Sequence, residues 1–371
     1  MTALAVVALL AWLYLVALHG GFWHDGERLS ASRPAACPPV AAVVPARDEA
    51  GFVAASVGSL LAQDYPGPFR VVLVDDGSTD GTTAAARALP GADRLTVLEG
   101  APRPPGWAGK LWAVQQGFSV TDEELLLFTD ADIVHDPGHF SALVAQAERT
   151  GADMVSEMVA LRCESLAERA LVPAFVYLFA LLYPFAWVND ARRATAAAAG
   201  GTVLIRRRAL ERIGGIVAIR GALIDDVALA SAVKPGGPIW LGHSRLARSI
   251  RPYPGFADIW RMVARSAYVQ LRHSPLFLLL TTLGLGLVFL VPPGTALFAQ
   301  GAARACGAAA WVIMAASFVP TLRRFRLSWF WAPALPAIAF FYLAATIGSA
   351  IDHHRGRGVV WKHRAYTGNT A

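Results

Sequence analysis

This 371-residue sequence is short of charge. Asp, Glu, Lys and Arg make up 16% of it and hydrophobic residues 55%. An ordinary soluble domain carries about 25% charged residues, so a sizeable share of this chain must face lipid. Low hydrophobicity joined to high charge, the composition that keeps a chain disordered, is absent. Cysteine is scarce: Cys37, Cys163 and Cys306 lie far apart with no C-x-x-C spacing. That indicates neither a disulfide framework nor a cysteine zinc site. Lysine occurs only as Lys110, Lys234 and Lys362, so the net charge of +6 rests on arginine. The arginines gather beside apolar runs, where they suit anionic lipid headgroups. No basic-aromatic module of a nucleic-acid-binding kind is present, and nucleic acid is not expected as a partner.

What the chain does hold is long apolar runs. Ala3 to Leu18 is uncharged, and continuing through Trp23 brings it to spanning length, so residues 1–23 are expected to form an N-terminal transmembrane helix. A cleaved leader would want Lys or Arg before the run and a small-residue cleavage site after it; neither is there. Arg28 and Arg33 follow the run, which puts its C-terminal end on the cytoplasmic side. Three more runs, about Pro275–Pro292, Ala302–Pro320 and Trp329–Ile351, give about three C-terminal membrane segments over 275–351. Arg323, Arg324 and Arg326 mark the connection between the last two as cytoplasmic. A full last crossing would leave the basic tail, 352–371, outside with Arg355, Arg357, Lys362 and Arg364. Pro333 and Pro336 leave room for a re-entrant or tilted segment instead. Residues 255–273 read as an amphipathic helix in the headgroup plane, with Phe256, Ile259, Trp260, Val263 and Leu271 on one face and Arg261, Arg265 and Arg272 opposite. Leu171–Val188 is uncharged and broken by Pro173 and Pro184; it is expected to be interfacial or re-entrant.

Between these, residues 38–254 alternate short apolar runs with helical patterns. Strands are expected at Val40–Val44, Val71–Val74, Leu95–Leu98 and Glu124–Thr129, with helices from Phe52 to Ala62, through Leu89, and around Leu111–Gly117. Such alternation implies an α/β fold with a mostly parallel sheet and helices on both faces. Ligands bind such sheets beyond the C-terminal strand ends, where the acidic clusters fall.

Three clusters are candidates for chemistry. Asp75-Asp76-Gly77-Ser78-Thr79-Asp80 can meet a nucleobase or ribose, or be no more than a solvated turn with an N-cap. Asp130-Ala131-Asp132 follows Leu125–Phe128 and Thr129, and paired carboxylates there can meet a hard divalent cation, Mg²⁺ or Mn²⁺, with its diphosphate. Asp225-Asp226 is either a pair whose members raise one another's pKa, as a general base wants, or a helix N-terminus seeking negative charge. Lys110, in Gly106-Trp107-Ala108-Gly109-Lys110, is either a surface lysine or a phosphate or sugar contact.

The pieces Val43-Val44-Pro45-Ala46-Arg47-Asp48-Glu49, Val74 to Asp80, Asp130-Ala131-Asp132 and Asp225-Asp226, in that order over about residues 38–272, make the sequence resemble a family 2 inverting glycosyltransferase of the GT-A fold. Gly106–Gly117, Trp187–Gly201 and Ile219–Ala228 are similar to the hopene-associated branch of bacterial hopanoid clusters. The resemblance implies that Pro45, Arg47, Glu49, Asp75 and Asp76 hold the nucleotide. Asp130 and Asp132 would bind the metal and diphosphate, with Lys110 and Arg265 adding positive charge. Trp107, Gly200 and Gly201 would border the sugar or acceptor pocket, and Asp226, beside Asp225, would be the base. Of the family's Q-x-x-R-W motif only Arg265 remains, in Met262-Val263-Ala264-Arg265-Ser266, which implies transfer of one sugar rather than polymer synthesis.

The expectation is therefore a multi-pass enzyme of the bacterial inner (plasma) membrane, its catalytic domain cytoplasmic. It would move a sugar from a nucleotide-sugar donor, a UDP-sugar, to a lipid acceptor, a hopanoid. The alternatives are a polyprenyl phosphate, glycerolipid or ceramide-type acceptor. A transporter or non-enzymatic membrane protein is a different class; transport would want ionisable residues at mid-bilayer, and the spans hold almost none.

Overall fold

Short, largely aliphatic runs become the strands of one eight-stranded sheet: β1 (Val40–Ala46), β2 (Phe69–Asp75), β3 (Leu95–Glu99), β4 (Leu125–Thr129), β5 (Ile133–His135), β6 (Met154–Ala160), β7 (Thr202–Arg206) and β8 (Ile239–Ser249). The computed structural model describes residues 1–24, 26–91, 93–356, 360–361 and 364–365; of the expected basic tail, Arg357 and Lys362 lie outside the described residues.

The spatial order is β3-β2-β1-β4-β7-β6-β8-β5. β1 lies parallel to β2 and β4, and β2 to β3. Beyond β4 the pattern changes. β7 is antiparallel to β4 and β6, β6 is parallel to β8, and the last residues of β8 pair antiparallel with β5. The mostly parallel sheet expected from the sequence is thus parallel in one half and mixed in the other. Parallel neighbours need a crossover, usually a helix laid on the sheet, and that rule governs β1 to β4. β7 is reached instead after the long excursion from β6 through residues 161–201, which leaves its direction free.

Both faces of the parallel half are covered, as continuous apolar strands require. Val71 and Leu73 pack on one side with Ala42, Val44, Leu127, Val53, Val57 and Leu60 of the helix Val53–Leu61, and Phe140 and Leu143 of the helix His139–Thr150. Val72 and Val74 face the other side and meet Ala113 of the helix Gly109–Ser119. That helix sits very close to the sheet: a Cβ on Gly117 would come within 2.4 Å of Val43 Cγ1.

The chain divides into two compact units. The sheet and its helices occupy Glu27–Arg162 and Trp187–Pro252; Met1–Gly26, Cys163–Ala186 and the chain from Tyr253 form the other. The second unit is helical apart from one short antiparallel pair, Val360–Trp361 with Arg364–Ala365. Three of its helices are long and apolar enough to cross a membrane: Pro275–Phe298, Gly301–Arg324 and Trp329–His354, of 24, 24 and 26 residues. At about 1.5 Å per residue, 24 helical residues exceed the roughly 30 Å of a hydrocarbon core. The last run, left open between a crossing and a re-entrant segment, is one continuous helical element; Pro333 and Pro336 sit near its start, where a missing N–H costs little.

One expectation changes in this unit. The N-terminal helix is Thr2–Leu18 and does not continue to Trp23, because Gly20 and Gly21 take left-handed φ of 63° and 60° and turn the chain. Its 17 residues make about 26 Å, short of a full span unless the bilayer thins around it. The uncharged stretch Leu171–Val188 lies within the helix Leu166–Leu182 and the short helix Phe185–Asn189. The longer one starts on a capping box of Ser165 and Glu168. Tyr177 Oη meets Ser317 Oγ at 2.6 Å, and Tyr342 Oη donates to the Leu171 carbonyl at 2.8 Å, so this helix is packed among the apolar ones. The amphipathic segment forms the helix Phe256–Gln270, with Ile259, Val263 and Tyr268 buried.

Candidate active site

Register brings the acidic clusters together. β1, β2 and β4 run in parallel, with Ala46 opposite Asp75 and Val43 opposite Phe128, so the residues after each strand leave the sheet at one edge. β7 starts at that edge too, since Thr202 pairs with Thr129. The loop before it delivers Gly200 and Gly201. Asp225 and Asp226 follow no strand; they open the helix Asp225–Val233, where the positive end of the helix dipole favours acid. The expectation that every acidic cluster follows a strand is corrected on this point.

One cleft collects Pro45, Lys110, Phe128, Asp130, Gly200, Asp225 and Asp226. Lys110, in the first turn of its helix, places Nζ 2.8 Å from Asp130 Oδ1 and 3.1 Å from Asp225 Oδ2. Burial would push the ammonium down; Asp130 and Asp225 more than offset this and hold it above its ordinary range. Asp130 is pushed up by burial, with Asp132 adding to the shift and Lys110 opposing it. Asp226 is pushed up to about 7, first by burial and then by Asp225, while Lys110 and the N–H groups of Val227 and Gly200 oppose the shift. Gly200 leaves Asp226 room: a Cβ there would lie 3.1 Å from Asp226 Oδ2, a tight contact.

Beside the cleft stand two ion-paired groups. Arg47 donates to the Asp76 carbonyl and reaches Asp76 Oδ2 at 3.5 Å. Arg251 clasps both Glu49 oxygens at 2.6 Å, pairs with Asp132, and lies over the Phe52 ring. Asp75 is occupied within its own turn, accepting from Ser78 N, Ser78 Oγ and Thr83 Oγ1. The turn is tied to the β1 end by Thr79 N to Asp48 Oδ1 and Asp48 N to Ser78 Oγ, both 2.9 Å. Asp48 itself takes a left-handed φ of 49°, which Asp tolerates better than most residues.

Of the residues singled out in the sequence, Pro45, Lys110, Asp130, Gly200, Asp225 and Asp226 meet in the cleft, and Arg47, Glu49, Asp76 and Asp132 are joined in the flanking pairs. Gly201 faces Val159 rather than Asp226. Trp107 stacks edge-on against Trp112 at 5.2 Å and does not line the cleft. Arg265 belongs to the other unit, exposed on its helix. Arg251 was not anticipated: it follows β8 in an Ile-Arg-Pro stretch, and nothing local distinguishes it from the other arginines.

The sheet, its helices and this edge define a GT-A-like fold, and comparison with known proteins agrees. Residues 41–214 match the family described as glycosyl transferase family 2. Over 108 residues the chain is 31% identical to dodecaprenyl-phosphate galacturonate synthase of Rhizobium johnstonii, covering 27% of this chain and 31% of that protein. Over 122 residues it is 31% identical to the succinoglycan biosynthesis protein ExoU of Rhizobium meliloti, covering 33% of each. The chain thus spans about a third of the length of the curated relatives it matches. Its structure is similar to that of the mannosyltransferase PcManGT from Pyrobaculum calidifontis in complex with GDP-Man and Mn²⁺. The TM-score is 0.58 at 21% identity, over 94% of this chain and 98% of that one, a likeness of fold.

Proposed function

We propose that this protein transfers a single sugar from a UDP-sugar to the hydroxyl of a membrane lipid, a hopanoid, with inversion at the anomeric carbon. The observation that carries the reading is Asp226: a carboxyl pushed up to about 7, seated against Gly200 in a cleft that also holds Lys110 and Asp130. A base with a pKa near the working pH takes a proton from an attacking hydroxyl most efficiently. Asp226 is that base, and Asp225 tunes it. Lys110 supplies positive charge where a departing diphosphate gathers negative charge. Pro45, Arg47, Glu49, Asp75 and Asp76 frame the nucleotide, and Gly200 borders the sugar and acceptor.

Among the described residues no three His, Cys, Asp or Glu side chains cluster as a metal cage. None is needed, because Mg²⁺ and Mn²⁺ are commonly held by one or two carboxylates plus substrate phosphates. Asp130 and Asp132 fit: both are hard oxygen donors, and burial together with the Asp132 charge leaves Asp130 wanting a cation nearby. When bound there, the metal would act as a Lewis acid on the diphosphate.

A lipid acceptor is supported by the three apolar helices in the same chain and by the interfacial character of Phe256–Gln270. Residues 38–254, without the 163–186 excursion, serve as the transferase domain. The N-terminal helix, the amphipathic helix and the C-terminal helices hold it at the bacterial inner membrane, and Arg28, Arg33 and Arg323–Arg326 put it on the cytoplasmic side. Transfer to a polyprenyl phosphate is the second reading, favoured by the curated relative named for such a product.

Purified protein in nanodiscs, given labelled UDP- and GDP-sugars, is to be offered hopanoid, diacylglycerol, polyprenyl phosphate and soluble sugars. Label is expected on hopanoid from a UDP-sugar, stopped by EDTA and restored by Mn²⁺ or Mg²⁺ in the wild type but not in Asp132→Ala. Label on soluble sugars overturns the lipid reading. Label on polyprenyl phosphate, kept in Asp226→Asn, replaces the first reading by the second.

A further inference from the structure

Behind the cleft a line of polar side chains runs through the core with no part in the chemistry described so far. Glu157 of β6 and His139 are fully buried, and His135 of β5 and Thr129 of β4 nearly so. His139 Nε2 lies 2.6 Å from Glu157 Oε1. His139 Nδ1 and His135 Nδ1 are 2.9 Å apart, with the rings stacked, and His135 Nε2 lies 3.2 Å from Thr129 Oγ1. Thr129 Oγ1 then donates to the Gly201 carbonyl at 2.8 Å, the same oxygen that accepts from Asp130 N at 3.3 Å.

The proton order follows from counting. A threonine hydroxyl has one proton, and here it goes to Gly201, so Thr129 Oγ1 accepts from His135 Nε2–H. His135 Nδ1 must then accept, and His139 Nδ1–H donates to it. Burial, and next the neighbouring His139, hold His135 well below its ordinary pKa, which keeps it in the neutral form this order requires. The His139–Glu157 approach is short yet poorly aligned, and neither Glu157 oxygen has a hydrogen-bond partner among the described residues. A carboxyl sealed away with one imidazole as its company is costly where an apolar residue would pack, so its presence calls for a use.

The far end of the line supplies one. Gly201 follows Gly200, whose N–H is directed to the Asp226 carboxyl and where a Cβ would lie 3.1 Å from Asp226 Oδ2. Ser156, adjacent to Glu157, clamps the same loop, accepting from Ala199 N at 2.8 Å and donating to the Ala199 carbonyl at 3.1 Å. We propose that Glu157, His139, His135 and Thr129 are positioning residues that hold the Gly200–Gly201 turn, and through it Asp226, in the geometry that transfer requires. This rests on Asp226 being the base.

Thr129→Val keeps the shape and removes the hydroxyl. It is expected to lower kcat roughly tenfold while the donor KM stays within about twofold, since a small misplacement of a base is felt in turnover and not in nucleotide binding. Thr129→Ser restores turnover. Hydrogen exchange of the 199–202 amides rises in Thr129→Val and in Glu157→Gln, and that of residues 75–82 does not change. A purely structural role predicts a lower melting temperature with kcat and the 199–202 exchange untouched, and that result overturns the proposal. Faster exchange with unchanged kcat overturns it as well. A wild type that transfers no sugar to any acceptor refutes the functional reading instead, and exchange at 199–202 still decides whether the line holds the turn.

Discussion

Two acidic regions at one sheet edge use the same residue in opposite ways. In the Asp75–Asp80 turn every carboxylate has local company: Asp75 takes Ser78 and Thr83, Asp76 takes Arg47, and Asp80 takes Thr82 and Ala50 N. Asp80 is accordingly drawn below its ordinary pKa by those hydrogen bonds, which outweigh the opposing desolvation. In the cleft, Asp130, Asp225 and Asp226 have one lysine between them, and Asp130 and Asp226 are driven upward. Satisfied carboxylates shape a turn, whereas carboxylates short of partners are ready to exchange a proton or take a cation.

The sharpest way to test this contrast is Asp226→Asn. It is expected to cost about 10²–10⁴ in kcat, the usual worth of a general base. Calorimetry should find UDP binding within about twofold of wild type, because a base acts in the transition state; loss of UDP binding would make Asp226 a donor ligand. A smaller effect concerns pH. The base works deprotonated, so turnover should rise through about pH 7, where the Asp226 carboxyl titrates. Lys110 opposes the upward shift and Asp225 adds to it, so Lys110→Met should move the rising limb to higher pH and Asp225→Asn to lower pH. Identical limbs in both variants would mean that another group titrates. The smallest effect belongs to the turn. Ser78→Ala and Thr83→Val each remove one partner of Asp75 and should lower stability by about 1 kcal/mol, read as a reduced melting temperature. The pH limb should stay in place; a shift there would join the two regions that the ion pairs keep apart.

Much of the fold was legible along the chain. The alternation of apolar runs with helical spacing located β1 to β4 to within a few residues, since buried parallel strands must be apolar throughout. The long apolar runs became helices, in which a segment satisfies its backbone hydrogen bonds within itself. The acidic clusters were visible as departures from that apolar background. The early stop of the first helix at Leu18 was signalled by Gly20-Gly21, yet hydropathy alone reads straight through two glycines.

What the tertiary structure alone decided lies between residues far apart in sequence. The antiparallel setting of β7 was open because no crossover helix governs its direction. The sharing of Lys110 by Asp130 and Asp225, the clasp of Arg251 on Glu49 and Asp132, and the buried line from Glu157 to Thr129 each join separate elements. A sequence shows that a carboxylate stands after a strand; it does not show which cation reaches it or how much water remains. Residue type and spacing therefore determined the elements and the acids at their ends. Distance and desolvation, which set a pKa and choose a partner, exist only once the strands are side by side.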